Sequence, residues 1–150
     1  MKKLLLALLG ICCGASLFAA SGSTTPEGWT DDFAAAQKES EKTGRPILAL
    51  FTGSDYCPYC VKLKKNFLDT PEFKEFAENN VILFYADFPG KTKLPDGLRV
   101  QNEKLAKQYG VRGFPTTVII SPKGKEMGRL VGCADYYMNG VKTIVTTVEK

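Results

Sequence analysis

The chain has 150 residues, of which 44% are hydrophobic and 24% are charged, a size and balance typical of one globular domain with a single core. Its 20 Lys and Arg residues against 16 Asp and Glu residues give a formal charge of +4. No basic run would follow a phosphate backbone, so nucleic acid is not an expected partner. The sequence has no histidine, which excludes catalysis by Cys-His or Ser-His pairs and zinc binding through imidazole.

The N-terminal segment is typical of a secretory signal peptide. Two lysines precede an apolar run over residues 4–20, and small residues follow it, which predicts that residues 1–21 are removed on export. An uncleaved anchor helix is the weaker alternative, because the run is short and no stop-transfer charges follow it. Lipidation at Cys12 or Cys13 is also disfavoured, because neither follows a small residue. We therefore expect a periplasmic or other extracytoplasmic protein, whose formal charge falls to +2 with the two lysines.

The rest of the chain predicts a flexible leader over residues 22–28 and one domain over 29–150. A helix follows Thr30, because acids begin the segment and Gly44 lies beyond its end. The next apolar run, 47–51, has the length of a strand that is buried on both faces. Similar patterns predict helices over 61–68, 71–80, 99–109 and 141–148, strands over 81–88, 116–120 and 126–131, and a loop over 89–97. This order indicates an α/β fold in which helices cover both faces of a central sheet.

Two cysteines, in the sequence Cys57-Pro58-Tyr59-Cys60, lie between the first predicted strand and an amphipathic helix. A thiolate at Cys57 is favoured there, because the unpaired N–H groups of a helix N-terminus face it. Cys60, one turn later, is placed to close a disulfide with Cys57. The pattern therefore suggests that Cys57 attacks a substrate disulfide or thiol and that Cys60 resolves the mixed disulfide. A permanent structural disulfide is the alternative, although so short a loop would constrain the unfolded chain little.

Metal binding is a further alternative for the cysteines of the mature chain. Cys57, Cys60 and Cys133 supply three thiolates. A structural zinc site would need a fourth ligand, and the sequence has neither a histidine nor a second CxxC pair. We therefore expect no metal and no cofactor.

A second motif makes the cysteine pair more specific. The segment VRGFPT, residues 111–116, stands directly before a predicted strand, and the cysteines lie in the segment FTGSDYCPYC. With these motifs the chain resembles the thioredoxin superfamily, and in particular its exported members, over about residues 26–148. The resemblance implies a thioredoxin fold with a central mixed β-sheet, in which Pro115 is a cis proline facing the cysteines.

The resemblance also implies a surface that binds substrate peptides. Gly132 lies on one side of it, and three aromatic residues, Tyr56, Tyr59 and Phe114, supply apolar contacts, although such residues also serve as ordinary packing. Cys133 stands where the family commonly has a small residue. It is either an inert, packed thiol, which we favour, or a third redox participant.

The chain departs from many thioredoxins in the strand before the cysteines, where residues 47–51 contain no acid. The group that accepts the proton of Cys60 is therefore open. Asp55, water and Lys62 are the alternatives. Lysines at 62, 64 and 65 follow Cys57 closely and predict that the pKa of its thiol is lower than that of an ordinary cysteine.

Together these features predict an exported thiol-disulfide oxidoreductase that exchanges disulfides with other exported proteins and is reset by a membrane redox partner. Reduction or isomerisation is preferred over net oxidation, since the chain has no inserted helical domain of the kind that dedicated periplasmic oxidases carry. We expect a monomer. The alternative is a thioredoxin-like module that binds peptides or assists assembly and keeps Cys57 and Cys60 as a resting disulfide.

Overall fold

A computed structural model describes residues 25–147. The predicted signal peptide, 1–21, lies outside the described residues. The described part contains five helices and four strands, which are α1 (Phe33–Thr43), β1 (Ile47–Thr52), α2 (Pro58–Leu63), α3 (Pro71–Asn80), β2 (Ile82–Asp87), α4 (Asp96–Gln108), β3 (Thr116–Ile120), β4 (Glu126–Val131) and α5 (Tyr137–Thr147). Across residues 25–147, no helix combines the length and apolar content that crossing a membrane requires.

The four strands form one mixed sheet in the order β2-β1-β3-β4. Strand β1 pairs in parallel with β2 and antiparallel with β3, and β3 pairs antiparallel with β4. Side chains of β1 alternate between two cores. Leu48 and Leu50 pack with residues of α2, α3 and α5, whereas Ala49 and Phe51 pack with residues of α1 and α4. The sheet is therefore covered by helices on both faces, which confirms the predicted α/β fold.

Three helices differ from their predicted bounds. Helix α1 starts only at Phe33, because the carboxylate of Asp32 accepts the N–H of Ala35 and caps the first turn. Helix α4 starts at Asp96 instead of residue 99, since Pro95 ends the loop before it and an acid in the first turn favours the helix. Helix α5 begins at Tyr137, four residues before the predicted start, because Tyr137 is buried on the same helical face as Val141.

The helix that follows the cysteines has two parts. The α-helical part, α2, already begins at Pro58, where proline suits the first turn because its missing N–H would be unpaired there. It continues as a π-helical turn over Lys64–Leu68, after which the N–H of Asp69 donates to the carbonyl of Lys64. The predicted single helix over 61–68 therefore starts earlier than expected and changes its hydrogen-bond pattern midway.

Candidate active site

Cys57 and Cys60 lie where β1 gives way to α2. Cys57 is the N-cap residue of α2, with extended backbone, and its sulfur accepts the N–H of Cys60 at 3.2 Å. The two sulfurs are joined as a disulfide across a Cα–Cα distance of 5.2 Å. Both residues are buried, with 7% of Cys57 and 5% of Cys60 exposed. The hydrogen bond from Cys60 favours negative charge on the sulfur of Cys57 once the pair is reduced.

Two other segments meet the cysteine pair. The sulfur of Cys57 lies 3.7 Å from the carbonyl oxygen of Phe114, and the peptide bond between Phe114 and Pro115 is cis. On the far side of Pro115, its carbonyl accepts the N–H of Gly132 at 2.9 Å. The structure therefore brings Cys57, Phe114, Pro115 and Gly132 next to one another, although the first and the last are 75 positions apart in the sequence.

The aromatic residues near the cysteines fall into two groups. Tyr56 and Tyr59 are 52% and 65% exposed, so both rings are available to a bound molecule. Phe114 is half-buried, and its ring stacks on that of Phe88 with the centroids 4.9 Å apart. Phe88 was not among the predicted site residues. Its contact with Phe114 steadies the segment that faces the sulfur of Cys57.

The carboxylate of Asp55 binds the loop after β2. It accepts the N–H groups of Gly90, Lys91 and Thr92 at 2.7, 2.8 and 3.0 Å. The bond from Gly90 is the main cause that lowers the pKa of Asp55, while partial burial acts in the opposite direction. The carboxylate therefore holds two loops together, and its lone pairs are committed to that contact.

A second carboxylate, Asp87 at the end of β2, is 3% exposed. It accepts the N–H of Ser54 at 3.0 Å and the hydroxyl of Ser54 at 2.6 Å. Its own carbonyl accepts the side-chain N–H of Asn102 from α4 at 2.9 Å. Sequence reasoning missed this residue. The available signal was a single acid at the end of the apolar run 81–88, since a charged side chain is rarely buried without partners.

A cavity of about 200 Å³ lies beside Cys60. Three residues that carry hydroxyl groups line it, namely Thr52 of β1, Ser54 of the active-site loop and Tyr85 of β2. The backbone N–H of Gly53 donates to the sulfur of Cys60 at 3.5 Å. Burial is the main cause that raises the pKa of Tyr85 to about 12, the charge of Asp87 adds to it, and a hydrogen bond with Thr52 opposes it. At neutral pH the hydroxyl of Tyr85 is therefore protonated.

The lysines that follow Cys57 are exposed. The ammonium group of Lys64 lies 2.7 Å from both carboxylate oxygens of Asp69, so much of its charge is neutralised locally. Lys62 is exposed on α2. The hydrogen bond from Cys60 and the helix N-terminus are therefore stronger reasons than the three lysines to expect a stabilised Cys57 thiolate.

Cys133 is a free, half-buried thiol that packs against the core beside Gly132. Within residues 25–147, no three His, Cys, Asp or Glu side chains are grouped so that they could hold a metal ion. The three cysteines considered for zinc are divided between a disulfide and this separate thiol.

Comparison with known proteins agrees with this geometry. The thioredoxin-like domain family matches residues 33–137. The chain belongs to this thioredoxin-like family. The superfamily predicted from the CPYC and GFPT motifs is thus confirmed.

Relatives of this thioredoxin-like protein include proteins named for disulfide chemistry. The disulfide bond reductase DsbH of Chlamydia pneumoniae is 38% identical to this chain over 100 residues. The matched residues are 67% of this chain and 60% of the relative, so the chain spans about 60% of that protein's length. A solved structure of a DsbH oxidoreductase matches with a TM-score of 0.71 at 32% sequence identity. The match covers 85% of this chain and 94% of the DsbH chain. A thioredoxin from Thermus thermophilus shares the fold, with a TM-score of 0.59 at 24% sequence identity. The match covers 79% of this chain and 85% of that thioredoxin.

Proposed function

We propose that this protein is a thiol-disulfide oxidoreductase that reduces disulfides of other proteins through Cys57 and Cys60. The observation that carries the proposal is the disulfide at the start of α2, with the sulfur of Cys57 beside the carbonyl of Phe114. A reduced Cys57 at this position is stabilised as a thiolate and borders the exposed surface that carries Tyr56 and Tyr59. The similarity to proteins named as DsbH reductases supports the same chemistry.

The reaction has two steps. In the first, the Cys57 thiolate attacks a substrate disulfide, a Cys57–substrate bond forms, and the other substrate sulfur leaves with the electron pair and takes a proton. In the second, Cys60 loses its proton and attacks Cys57, so that the Cys57–Cys60 bond forms and the remaining substrate sulfur leaves as a thiolate. The substrate disulfide gains two electrons and the cysteine pair loses them.

The surface around Cys57 fits an extended peptide. Pro115 and Gly132 join two backbone segments beside the sulfur, and the exposed rings of Tyr56 and Tyr59 offer apolar contact to neighbouring side chains. Phe114, held against Phe88, presents its carbonyl at this edge. We assign substrate contact to these residues and keep Cys133 as an inert, packed thiol.

The predicted signal peptide supports a location outside the cytoplasm. There the substrates are disulfides of other exported proteins, and a membrane redox partner returns electrons to the Cys57–Cys60 pair. We propose a monomer, which suits reduction better than isomerisation because isomerisation profits from a second binding surface. Mass spectrometry of the mature N-terminus and light scattering of the purified protein check these two points.

Reduction of insulin disulfides by the mature protein, with dithiothreitol as electron source, tests the proposal. Cys57→Ser abolishes the acceleration over dithiothreitol alone. Cys60→Ser, reduced beforehand and mixed with insulin after the dithiothreitol is removed, accumulates a mixed disulfide between Cys57 and insulin that non-reducing denaturing gels reveal. Cys133→Ser is the matched control and retains the wild-type rate. Equal rates for wild type and Cys57→Ser would favour the peptide-binding module in place of an enzyme.

A further inference from the structure

The second step of the proposed reaction needs a group that takes the proton of Cys60, and strand β1 supplies no acid. Asp87 of the neighbouring strand lies level with Thr52, the last residue of β1, because the two are partners in the parallel ladder. Its carboxylate is buried on the same side of the sheet as Tyr85, two residues earlier, and Tyr85 lines the cavity beside Cys60. A buried carboxylate is therefore present one strand away from β1.

Ser54 connects this carboxylate with the cavity. Its hydroxyl donates to Asp87 at 2.6 Å, the short distance of a charge-assisted hydrogen bond. Ser54 also lines the cavity that Cys60 borders. The cavity volume of about 200 Å³ exceeds the ~30 Å³ that a water molecule occupies in the liquid. Cys60 and Ser54 therefore border the same cavity, which is large enough to hold water between them.

We propose that Ser54 and Asp87 form a proton relay that deprotonates Cys60 in the second step. This inference rests on the proposed function. The thiol of Cys60 donates its proton to the hydroxyl oxygen of Ser54, and Ser54 donates its own hydroxyl proton to the carboxylate of Asp87. The thiolate then attacks Cys57, and the proton on Asp87 returns to solvent afterwards. Asp87 acts through Ser54 and is a positioning residue, whereas the hydroxyl of Ser54 is the group that exchanges protons with the site.

Other groups around the cavity are less suited to this role. Tyr85 holds its own proton at neutral pH, Thr52 is a neutral hydroxyl on β1, and Trp29 contributes an apolar wall. Asp69 also lines the cavity, but both of its oxygens accept from Lys64 at 2.7 Å. On the other side of Asp87, α4 offers Asn102, which is neutral and binds the backbone carbonyl.

The two steps can be separated by mixing the reduced protein, in a Cys133→Ser background, with the aromatic disulfide DTNB in a stopped-flow instrument. Attack by Cys57 releases one thionitrobenzoate in a phase that depends on the DTNB concentration. Attack by Cys60 releases the second in a phase that does not. The pH profile of the first phase therefore reports on Cys57, and that of the second phase reports on Cys60.

We expect Asp87→Asn and Ser54→Ala each to slow the second phase by ~10-fold or more at neutral pH, since a positioned general base contributes ~10²–10⁴-fold. In both variants the rate of the second phase rises with pH. In the protein with an intact relay, the same rate is constant over this pH range. The first phase changes little. Ser54→Thr keeps a hydroxyl, so its second-phase rate is again independent of pH. Asp69→Asn is the matched control at the same cavity, and its second-phase rate is also independent of pH.

The outcomes separate the two proposals. A protein that lacks the first phase altogether would contradict the proposed function. A normal first phase combined with a pH-independent second phase in Ser54→Ala would overturn the relay. A second phase that becomes pH-dependent in Asp69→Asn and not in Ser54→Ala would overturn it as well. Ser54→Ala keeps the backbone hydrogen bond to Asp87, so it decides the question even if Asp87→Asn does not fold.

Discussion

The ring of Tyr56 covers the backbone of Gly53 at the start of the active-site loop. A Cβ atom on Gly53 would lie 2.7 Å from two ring carbons of Tyr56, well inside the ~3.5–4.0 Å at which carbon atoms normally pack. The same ring approaches Gly90, where a Cβ would lie 3.0 Å away. Tyr56 therefore joins the active-site loop to the loop after β2 and at the same time presents its exposed part to solvent.

This contact predicts that Gly53→Ala destabilises the protein by about 1 kcal/mol or more, because the added methyl group displaces the ring of Tyr56. Urea unfolding measures the change. In a Tyr56→Ala background the same substitution costs much less, since the ring is gone. Gly97→Ala is the matched control, because nothing lies within 4 Å of its Cβ in the first turn of α4. Equal losses at Gly53 and Gly97 would contradict the contact.

Asp55 gives a prediction at acidic pH. The N–H groups of the loop at 90–92, above all that of Gly90, lower its pKa from 3.8. Since the folded pKa lies below the unfolded value, the stabilisation is complete above pH 3.8 and is lost as the pH falls through the lowered pKa. The amide NMR signals of Gly90, Lys91 and Thr92 should shift together in this range. Asp55→Asn abolishes the shared transition, whereas Asp135→Asn, at an exposed acid after β4, retains it.

Tyr85 gives the corresponding prediction at alkaline pH. Burial, above all, raises its pKa from 10.0 to about 12. A raised pKa contributes stability that is fully present below pH 10.0 and lost as the pH approaches about 12. The free energy of unfolding, measured in urea over this range, should fall less steeply in Tyr85→Phe than in the wild type. Tyr136→Phe, at an exposed tyrosine, should follow the wild type, and identical slopes for all three proteins would contradict the assignment.

The buried pair formed by Thr117 and Tyr137 links β3 to α5. Their hydroxyl oxygens lie 2.8 Å apart, and both side chains are buried. Tyr137→Phe and Thr117→Val each leave one buried hydroxyl without this partner, at a cost of ~1–3 kcal/mol. Urea unfolding of the double variant should show a loss smaller than the sum of the single losses. Additive losses would mean that the two hydroxyls do not stabilise each other.

Much of the fold could be predicted from local pattern. The apolar run 47–51 predicted a strand that is buried on both faces, and all six residues of β1 are buried, with alternate side chains in two cores. The spacing of the cysteines placed them at a helix N-terminus, where they are found. Helix starts were less predictable. The beginning of α5 depends on the burial of Tyr137 against the core, which is a property of the folded chain.

The site was less predictable where it depends on pairs that are distant in the sequence. Ser54 and Asp87 are 33 residues apart, and their contact follows from the pairing of β1 with β2. Phe88 and Phe114 likewise meet only in the folded protein. The acid at the end of the apolar run 81–88 was a signal for a buried carboxylate, but nothing in the sequence pairs it with a serine in a turn. The proposed relay from Cys60 could therefore not be inferred from the sequence alone.

The reduction potential of the Cys57–Cys60 pair tests the central claim most directly. The mature protein is equilibrated with glutathione buffers, and the reduced fraction is read by thiol alkylation and mass spectrometry. We predict a single two-electron transition near the value of thioredoxin, about −270 mV, with Cys133 remaining a thiol throughout. A disulfide that is never reduced across the buffers, or a potential near −120 mV, would contradict the assignment of this protein as a reductant.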